Sequence, residues 1–368
     1  MTPRRFTALL FVSLATLLLS ESISHACTGV TLKAADGAVV YGRTMEWGSF
    51  DMKSRVVIIP RGYTFTAHTP DGKPGMTWKT RFGVVGLDCV DKDIIVDGIN
   101  ERGLAVGLFY HPGYADYQKY DPAKAAETLA PTDVGQYLLS TCATIDEVRA
   151  AIERARVVAV VEPALGFPAP VHFLATEPSG RAIVIEYLKG GLTVFDAPLG
   201  VITNSPSYDW HQTNLRNYIN LSPVALPGKK IEDLDFKPLG GGSGMIGLPG
   251  DFTPPSRFVR AVAFSQTARP TPTGPETMYE LFRILDNFNV PLGASEGNGS
   301  EATKGLRSST AWTTGYDLKN KTMQYQTQNN RRVRQVDLKK IDFTGDKILR
   351  QPMDKVKQQD IEDVTPGQ

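Results

Sequence analysis

The chain has 368 residues, of which 41% are hydrophobic and 21% charged; these values exclude a disordered, collagen-like or coiled-coil protein and allow one large core or two ordinary ones. Forty basic side chains stand against thirty-nine acidic ones, so nothing favours wholesale binding to nucleic acid or to an anionic membrane. Three cysteines and five histidines are too few for a disulfide scaffold.

Arg4 and Arg5 lead into an apolar run from Phe6 to Leu19, followed by Ser24-His25-Ala26. The run is shorter than the roughly 20 residues of a membrane span, and small residues lie one and three places before Cys27. The segment 1–26 therefore reads as a signal peptide. The mature protein is expected to be exported, to the periplasm or outside, with no stable membrane anchor. Cleavage after Ala26 would make Cys27 the N-terminal residue. A lipid-attachment cysteine is the alternative, but such sites favour an aliphatic residue where Ser24 stands.

Strands are expected around Val30 and Leu32, over Val39-Val40-Tyr41 and over Val56 to Ile59, broken at Asp36-Gly37 and Pro60-Arg61-Gly62. A second β region spans Phe82 to Tyr110, with a turn at Asn100 to Gly103. Pro131-Thr132-Asp133 opens a helix, and Thr144 to Glu147 fits a capping box for another that runs toward Arg154. Strands return at 171–176, 181–188, 192–195 and 200–203. Helical patterns follow near 209–220 and 275–287, then strands near 308–316, 321–327 and 333–337. Segments 222–255 and 291–306 read as long loops. Segregated strand and helix blocks, with no repeat or linker, indicate one α+β domain over 27–345. Residues 346–368 form a charged tail expected to lack fixed structure.

An N-terminal cysteine carries its own base. The thiol has a free pKa near 8.5, whereas an α-amine titrates at about 7.7–8.0 and can take the thiol proton at neutral pH. If the strand around 38–47 pairs with that around 28–34 across the Asp36-Gly37 turn, Arg43 lies near the thiol and biases it toward thiolate. Glu46, next along, is a candidate to orient the amine.

Cys27-Thr28-Gly29-Val30, the run Gly42 to Trp47, Thr203-Asn204-Ser205-Pro206, and Gly247 to Asp251 with Ser256 to Arg260 resemble the choloylglycine hydrolase family. The runs Asp209 to Tyr218 and Ser309 to Tyr316 add to the resemblance. That family includes bile salt hydrolases and penicillin V acylases, which are N-terminal-nucleophile amidases. The resemblance implies a four-layer αββα sandwich, two antiparallel sheets between helical layers, often as a homotetramer. It implies a small acyl-amide substrate and no metal or organic cofactor. Carried over, Cys27 is nucleophile and base, Arg43 and Arg257 are the active-site arginines, and Asn204 is an oxyanion donor. The second oxyanion donor is a backbone N–H after Gly107-Leu108, assigned to Phe109 with Tyr110 as the alternative. Glu46 stands where the family has Asp, one methylene shorter. Met45, Trp47, Phe50, Tyr110 and Tyr114 are expected to line an apolar substrate pocket, as Phe109 also could.

Other signals are weaker. Asp88, Asp91, Asp93 and Asp97 lack calcium-loop spacing and read as solvated turn charges. His68, His111, His172 and His211 show no paired metal-ligand spacing. Gly240 to Gly244 lacks the Lys-Ser/Thr of a phosphate loop and reads as a flexible loop. Cys89 and Cys142 read as core residues or, after export, a disulfide.

Overall fold

The structure, a computed structural model, describes residues 27–48, 51–296 and 307–366. The expected signal peptide over 1–26 and the pocket candidate Phe50 lie outside the described residues. The principal strands are β1 (Thr28–Lys33), β2 (Val39–Trp47), β3 (Arg55–Ile59), β4 (Val84–Cys89), β5 (Lys92–Asn100), β6 (Ala105–Tyr110), β7 (Val171–Thr176), β8 (Ala182–Leu188), β9 (Gly191–Asp196), β10 (Val201–Ile202), β11 (Arg307–Asp317), β12 (Thr322–Thr327), β13 (Arg334–Asp337) and β14 (Leu349–Pro352). The principal helices are α1 (Val134–Thr141), α2 (Ile145–Arg154), α3 (Tyr208–Asn214), α4 (Pro254–Thr267) and α5 (Gly274–Asp286).

Two antiparallel sheets face each other. The first runs β10-β1-β2-β11-β12-β13, with the two-residue strand Ser295–Glu296 added on β11; the second runs β9-β8-β7-β6-β5-β4-β3-β14. Helices α4 and α5 cover the first sheet, α1 and α2 the second, which gives the αββα order expected from the sequence. Strand alternation decides which side chains meet between the sheets. Along β7, Val171, Phe173 and Ala175 join the cluster packed on α1 and α2. Leu174 belongs instead to the cluster that fills the space between the sheets and reaches α4 and α5, so His172, of the same parity, points that way too.

Local signals hold where they have a mechanism. Thr144 caps α2 by accepting from the Glu147 N–H at 3.2 Å, and the Glu147 carboxylate accepts from Ala143 N at 2.8 Å. The expected 209–220 helix is divided, with α3 giving way to a 3-10 turn over Leu215–Tyr218. Three features depart from the sequence reading. The loop expected over 222–255 holds a short exposed hairpin, Lys229–Ile231 against Leu234–Phe236, and ends in α4, whose Pro254 and Pro255 occupy the first turn where an N–H is not needed. A further hairpin pairs Thr64–His68 with Pro74–Lys79. The tail expected to be without structure from 346 instead contributes β14, paired with β3, followed by buried Met353 and by Asp354, which accepts from Arg334 and Thr327.

Close approach of the two sheets depends on missing side chains. A Cβ on Gly107 would lie 2.1 Å from the Tyr41 hydroxyl and 3.0 Å from Asp97 Oδ1. Gly107→Ala is therefore expected to destabilise the fold by ~1–3 kcal/mol in denaturant titration, the usual range for an overpacked core. An unchanged midpoint would show that the Tyr41 hydroxyl can swing aside.

Candidate active site

The hairpin β1–β2 turns at Asp36-Gly37, where Gly37 has φ +81°, and sets Gly29 opposite Arg43 and Thr28 opposite Thr44. Cys27, one residue before β1, thus starts beside Met45. Between β2 and β11 the register shifts, with Met45 opposite Trp312 but Glu46 opposite Thr310. The residue left over, Ala311, forms a bulge that brings a hydroxyl rather than a methyl to Glu46. Asn204 follows β10, which pairs with β1, and Arg257 comes from the first turns of α4.

These residues converge on Cys27. Its backbone N–H donates to Asn204 Oδ1 at 2.8 Å. Arg257 donates to the same oxygen at 2.7 Å, to Thr28 Oγ1 at 2.9 Å, to Phe252 O at 2.8 Å, and to the Cys27 carbonyl. Asn204 Nδ2 donates to the Tyr110 carbonyl at 2.7 Å. Arg43 crosses to the second sheet, where it donates to the Leu108 carbonyl and to Val96 O at 3.3 Å; its guanidinium lies 4.2 Å from the Phe109 ring centroid. The Met45 sulfur sits 3.8 Å from Cys27 Sγ and 3.6 Å from Arg43. Glu46 accepts from Thr310 at 2.6 Å and from Thr44 at 3.1 Å.

Burial dominates the electrostatics. It pushes the Cys27 thiol up, Arg43 pulls it back, the Glu46 carboxylate reinforces the rise, and the Glu46 backbone N–H and Arg257 oppose it. The Arg257 guanidinium is lowered to about 10 by burial, against the pull of Glu46 and Cys27. Glu46 is raised to about 7 by burial, held back by the Thr310 hydroxyl, Arg257, Thr44 and Arg43. Asp97 is raised by burial as well, opposed first by Arg43 and then by hydroxyl donors.

Cys27, Arg43, Glu46, Asn204 and Arg257, singled out in the sequence, come together as one buried group. Phe109 does not take the place expected of it. His111 N donates to Pro170 O, and β6 residues alternate in the direction their backbone faces, so Phe109 also turns its N–H to β7, opposite His172. Tyr110 faces the other way, and its carbonyl meets Asn204. Met45, Trp47 and Tyr110 line a cavity of about 60 Å³ with Cys27, closed by Met52, Cys89, Ile94, Val96, Leu108, Leu165 and Val171. Tyr114 lies outside it, 43% exposed and stacked on His111. The Phe109 ring is fully buried under Arg43 and is not part of the cavity lining.

Several residues lie differently from what the sequence implies. Asp88 and Asp97 are buried, not solvated turn charges: Asp88 is gripped by Arg55, and Asp97 accepts from Tyr41 at 3.0 Å, Thr314 at 2.6 Å and Tyr316 at 2.8 Å. A single acid inside the apolar run Ile94-Ile95-Val96-Asp97-Gly98-Ile99 was the available signal. Cys27, Cys89 and Cys142 are all free thiols. His111, His172 and Glu186, unlinked by sequence spacing, present possible ligand atoms within 4.8 Å of one another. Their geometry does not suit a metal ion. The two imidazoles are stacked at 4.1 Å and 4° from parallel, so their in-plane lone pairs run side by side instead of meeting at one point.

Residues 27–352 match the sequence profile of the linear amide C–N hydrolases, choloylglycine hydrolase family. The chain belongs to that family. It is 29% identical over 324 residues to a bile salt hydrolase/transferase from Clostridium perfringens, covering 88% of this chain and 95% of that one. A penicillin V acylase from Pectobacterium atrosepticum is 25% identical, with 90% of this chain and 86% of the relative covered. The crystal structure of a mutant conjugated bile acid hydrolase from Clostridium perfringens superposes with TM-score 0.80 at 28% identity, over 92% of this chain and all of that one. The family thus makes the protein an enzyme acting on linear amides.

Glu46 yields a prediction with a definite sign. A carboxyl held at about 7 in the fold, against its ordinary 4.5, takes up a proton on folding between those values. The contribution of Glu46 to stability is then greatest below pH 4.5, declines as pH rises to about 7, and is lower by ~3 kcal/mol above. Glu46→Gln, neutral throughout, should be more stable than the parent by up to ~3 kcal/mol at pH 8 and level with it near pH 4.5. A variant no more stable at pH 8 would show that the carboxylate is fully compensated.

Proposed function

We propose that removal of residues 1–26 exposes Cys27 as an N-terminal nucleophile and that the protein is an exported amidase acting through a thioester. The supporting observation is the gathering around one residue of two buried guanidiniums, Arg257 bonded to it directly and Arg43 through the Met45 sulfur, with the Asn204 amide and an apolar cavity, at the position where the family match begins. In this reading the α-amine takes the Cys27 proton, and the sulfur attacks the amide carbonyl. The oxyanion is held by Asn204 Nδ2 and the backbone N–H of Tyr110, which replaces Phe109 in that role; one such donor is typically worth about 2.7–4 kcal/mol of barrier. The amine product leaves with the transferred proton. Water then adds to the thioester, the free acid departs, and the thiol is restored. Glu46, with both oxygens held by hydroxyls, steadies the charge of the N-terminal ammonium.

Conjugated bile salts are the leading substrates, split to a bile acid and glycine or taurine, on the strength of the bile-salt-cleaving relatives. Penicillin V and acyl-homoserine lactones are the second reading, favoured by one observation: the cavity beside Cys27 is small, about 60 Å³, and almost wholly apolar, which suits a flat aryl or straight acyl group better than a bulky one. The expected homotetramer finds support in the exposed hairpin at 229–236, where Ile231, Leu234 and Phe236 are apolar and at least half exposed. A lipid-anchored, non-catalytic binding protein is the rival of another class, and intact mass of the mature protein separates it through a diacylglyceryl group on Cys27.

The deciding assay measures amine release from glycocholate or taurocholate, penicillin V and a long-chain acyl-homoserine lactone in parallel, by the mature protein and by Cys27→Ser. Turnover on at least one substrate, lost by ~10³-fold or more in a folded Cys27→Ser, is the expected result. The ranking of kcat/KM assigns the branch. Wild-type turnover in Cys27→Ser would end the nucleophile assignment. In light scattering, Phe236→Asp should lower the oligomer mass; an unchanged mass would move the interface elsewhere.

A further inference from the structure

Asn204 is held from behind by two histidines. His172 Nε2 lies 3.0 Å from the Thr203 carbonyl, and His211 Nε2 lies 2.9 Å from the carbonyl of Asn204 itself. A carbonyl only accepts, so each Nε2 must carry a hydrogen. For His172 this fixes the other nitrogen. Its Nδ1 is 2.9 Å from Glu186 Oε1, in a pair with neither partner exposed. That contact holds only if Nδ1 donates as an imidazolium or accepts from a protonated carboxyl. Both states contain the same proton.

Removing it leaves a neutral ring facing a carboxylate. The ring must then keep its hydrogen on Nε2 and set a lone pair against Glu186, or move it to Nδ1 and release Thr203. The ring cannot satisfy both neighbours without that proton. We propose that His172 and Glu186 are positioning residues for Asn204, holding one shared proton whose loss at alkaline pH loosens the oxyanion donor and lowers kcat while leaving KM unchanged. The inference rests on the reading of Asn204 as an oxyanion donor.

The surroundings place the proton on the carboxyl. Burial raises Glu186 to about 7, with the Tyr208 N–H opposing the rise and Asp209 reinforcing it; His111 would oppose it only as a protonated ring. Burial lowers His172 to about 3, opposed by the Thr203 bond and helped by Arg43. The groups facing the pair are His111 from the segment after β6, stacked on His172; Arg43 from β2; and Tyr208, Asp209 and His211 from α3. His111 is itself lowered to about 3 and stays neutral, so it does not supply the charge. With a carboxyl whose pKa is raised, the bond is intact below about 7 and is lost as pH rises through that value.

Glu186→Gln is the conservative test. Its amide donates permanently to His172 Nδ1 while its oxygen accepts from Tyr208 N, which lies 3.1 and 3.3 Å from the two carboxyl oxygens. Expected are a wild-type alkaline limb in kcat with flat KM, disappearance of that limb in Glu186→Gln with the plateau within threefold, and a kcat loss of tenfold or more at every pH in Glu186→Leu. Thermal melts confirm that the variants are folded. Persistence of the limb in Glu186→Gln, or wild-type kcat in Glu186→Leu, would overturn the proposal. Nitrogen-15 NMR of the His172 ring reads the same proton without turnover: Nε2 should be protonated throughout in Glu186→Gln, with a titration in the wild type on the alkaline side. A His172 ring whose Nε2 carries no hydrogen at neutral pH, or that shows no wild-type titration, would overturn the proposal even if no amide is cleaved; absence of any amidase activity would by itself overturn only the functional reading.

Discussion

The placement of Arg43 is the constraint on which the site depends. A guanidinium fully buried between two sheets loses several kcal/mol of hydration that partners must repay. It finds them on the opposite sheet, in the carbonyls of Val96 and Leu108 and the face of Phe109. The Cys27 sulfur and Asp97 favour its charge, and Asp97 is itself held by three hydroxyls from the first sheet, those of Tyr41, Thr314 and Tyr316. The two charges therefore tie the sheets together. They also fix how near the sheets can come, which is why Gly107 and Gly29 lie against the Tyr41 hydroxyl and the Phe109 ring, respectively. In so dry a space water screens little, and the Arg43 charge acts on the Cys27 sulfur with more force than a surface arginine could exert.

The fold was legible wherever a segment carried its own instructions. Asp36-Gly37 between apolar runs specified the hairpin that brings Arg43 to Cys27, and the apolar runs on either side of Pro178-Ser179-Gly180 specified the strands that hold His172 and Glu186. Features that depend on a distant partner were not legible. The strand at Leu349–Pro352 is too short and too polar to declare itself without β3. Helix α4 opens on two prolines after a glycine-rich stretch, so only the family motif marked Arg257, not its helix. The choice between Phe109 and Tyr110 turns on the parity of the ladder to β7, a property of two strands that neither sequence contains alone. Asp97 carries the same charge as Asp91 and Asp93, and only the apolar residues around it, from Ile94 to Ile99, set it apart.

The orientation of Asn204 follows from the donors around it and needs no further assumption. Its Oδ1 receives both the Cys27 N–H and an Arg257 N–H, and an amide nitrogen in that position would set hydrogen against hydrogen twice. The NH2 group must therefore face Tyr110, where one hydrogen meets the carbonyl and the second is left for whatever lies beside the sulfur. Arg257 thus does more than lend charge. By also binding the Cys27 carbonyl and the Thr28 hydroxyl, it locks Cys27 and the amide to the same guanidinium. A lysine, with one nitrogen and no fixed plane, could not reach Asn204, Thr28 and the Cys27 carbonyl in that arrangement. The arginine is required by geometry as much as by charge: Cys27 and Asn204 are referenced to a single rigid plane, itself anchored through its Nε to the Phe252 carbonyl at the entrance to α4.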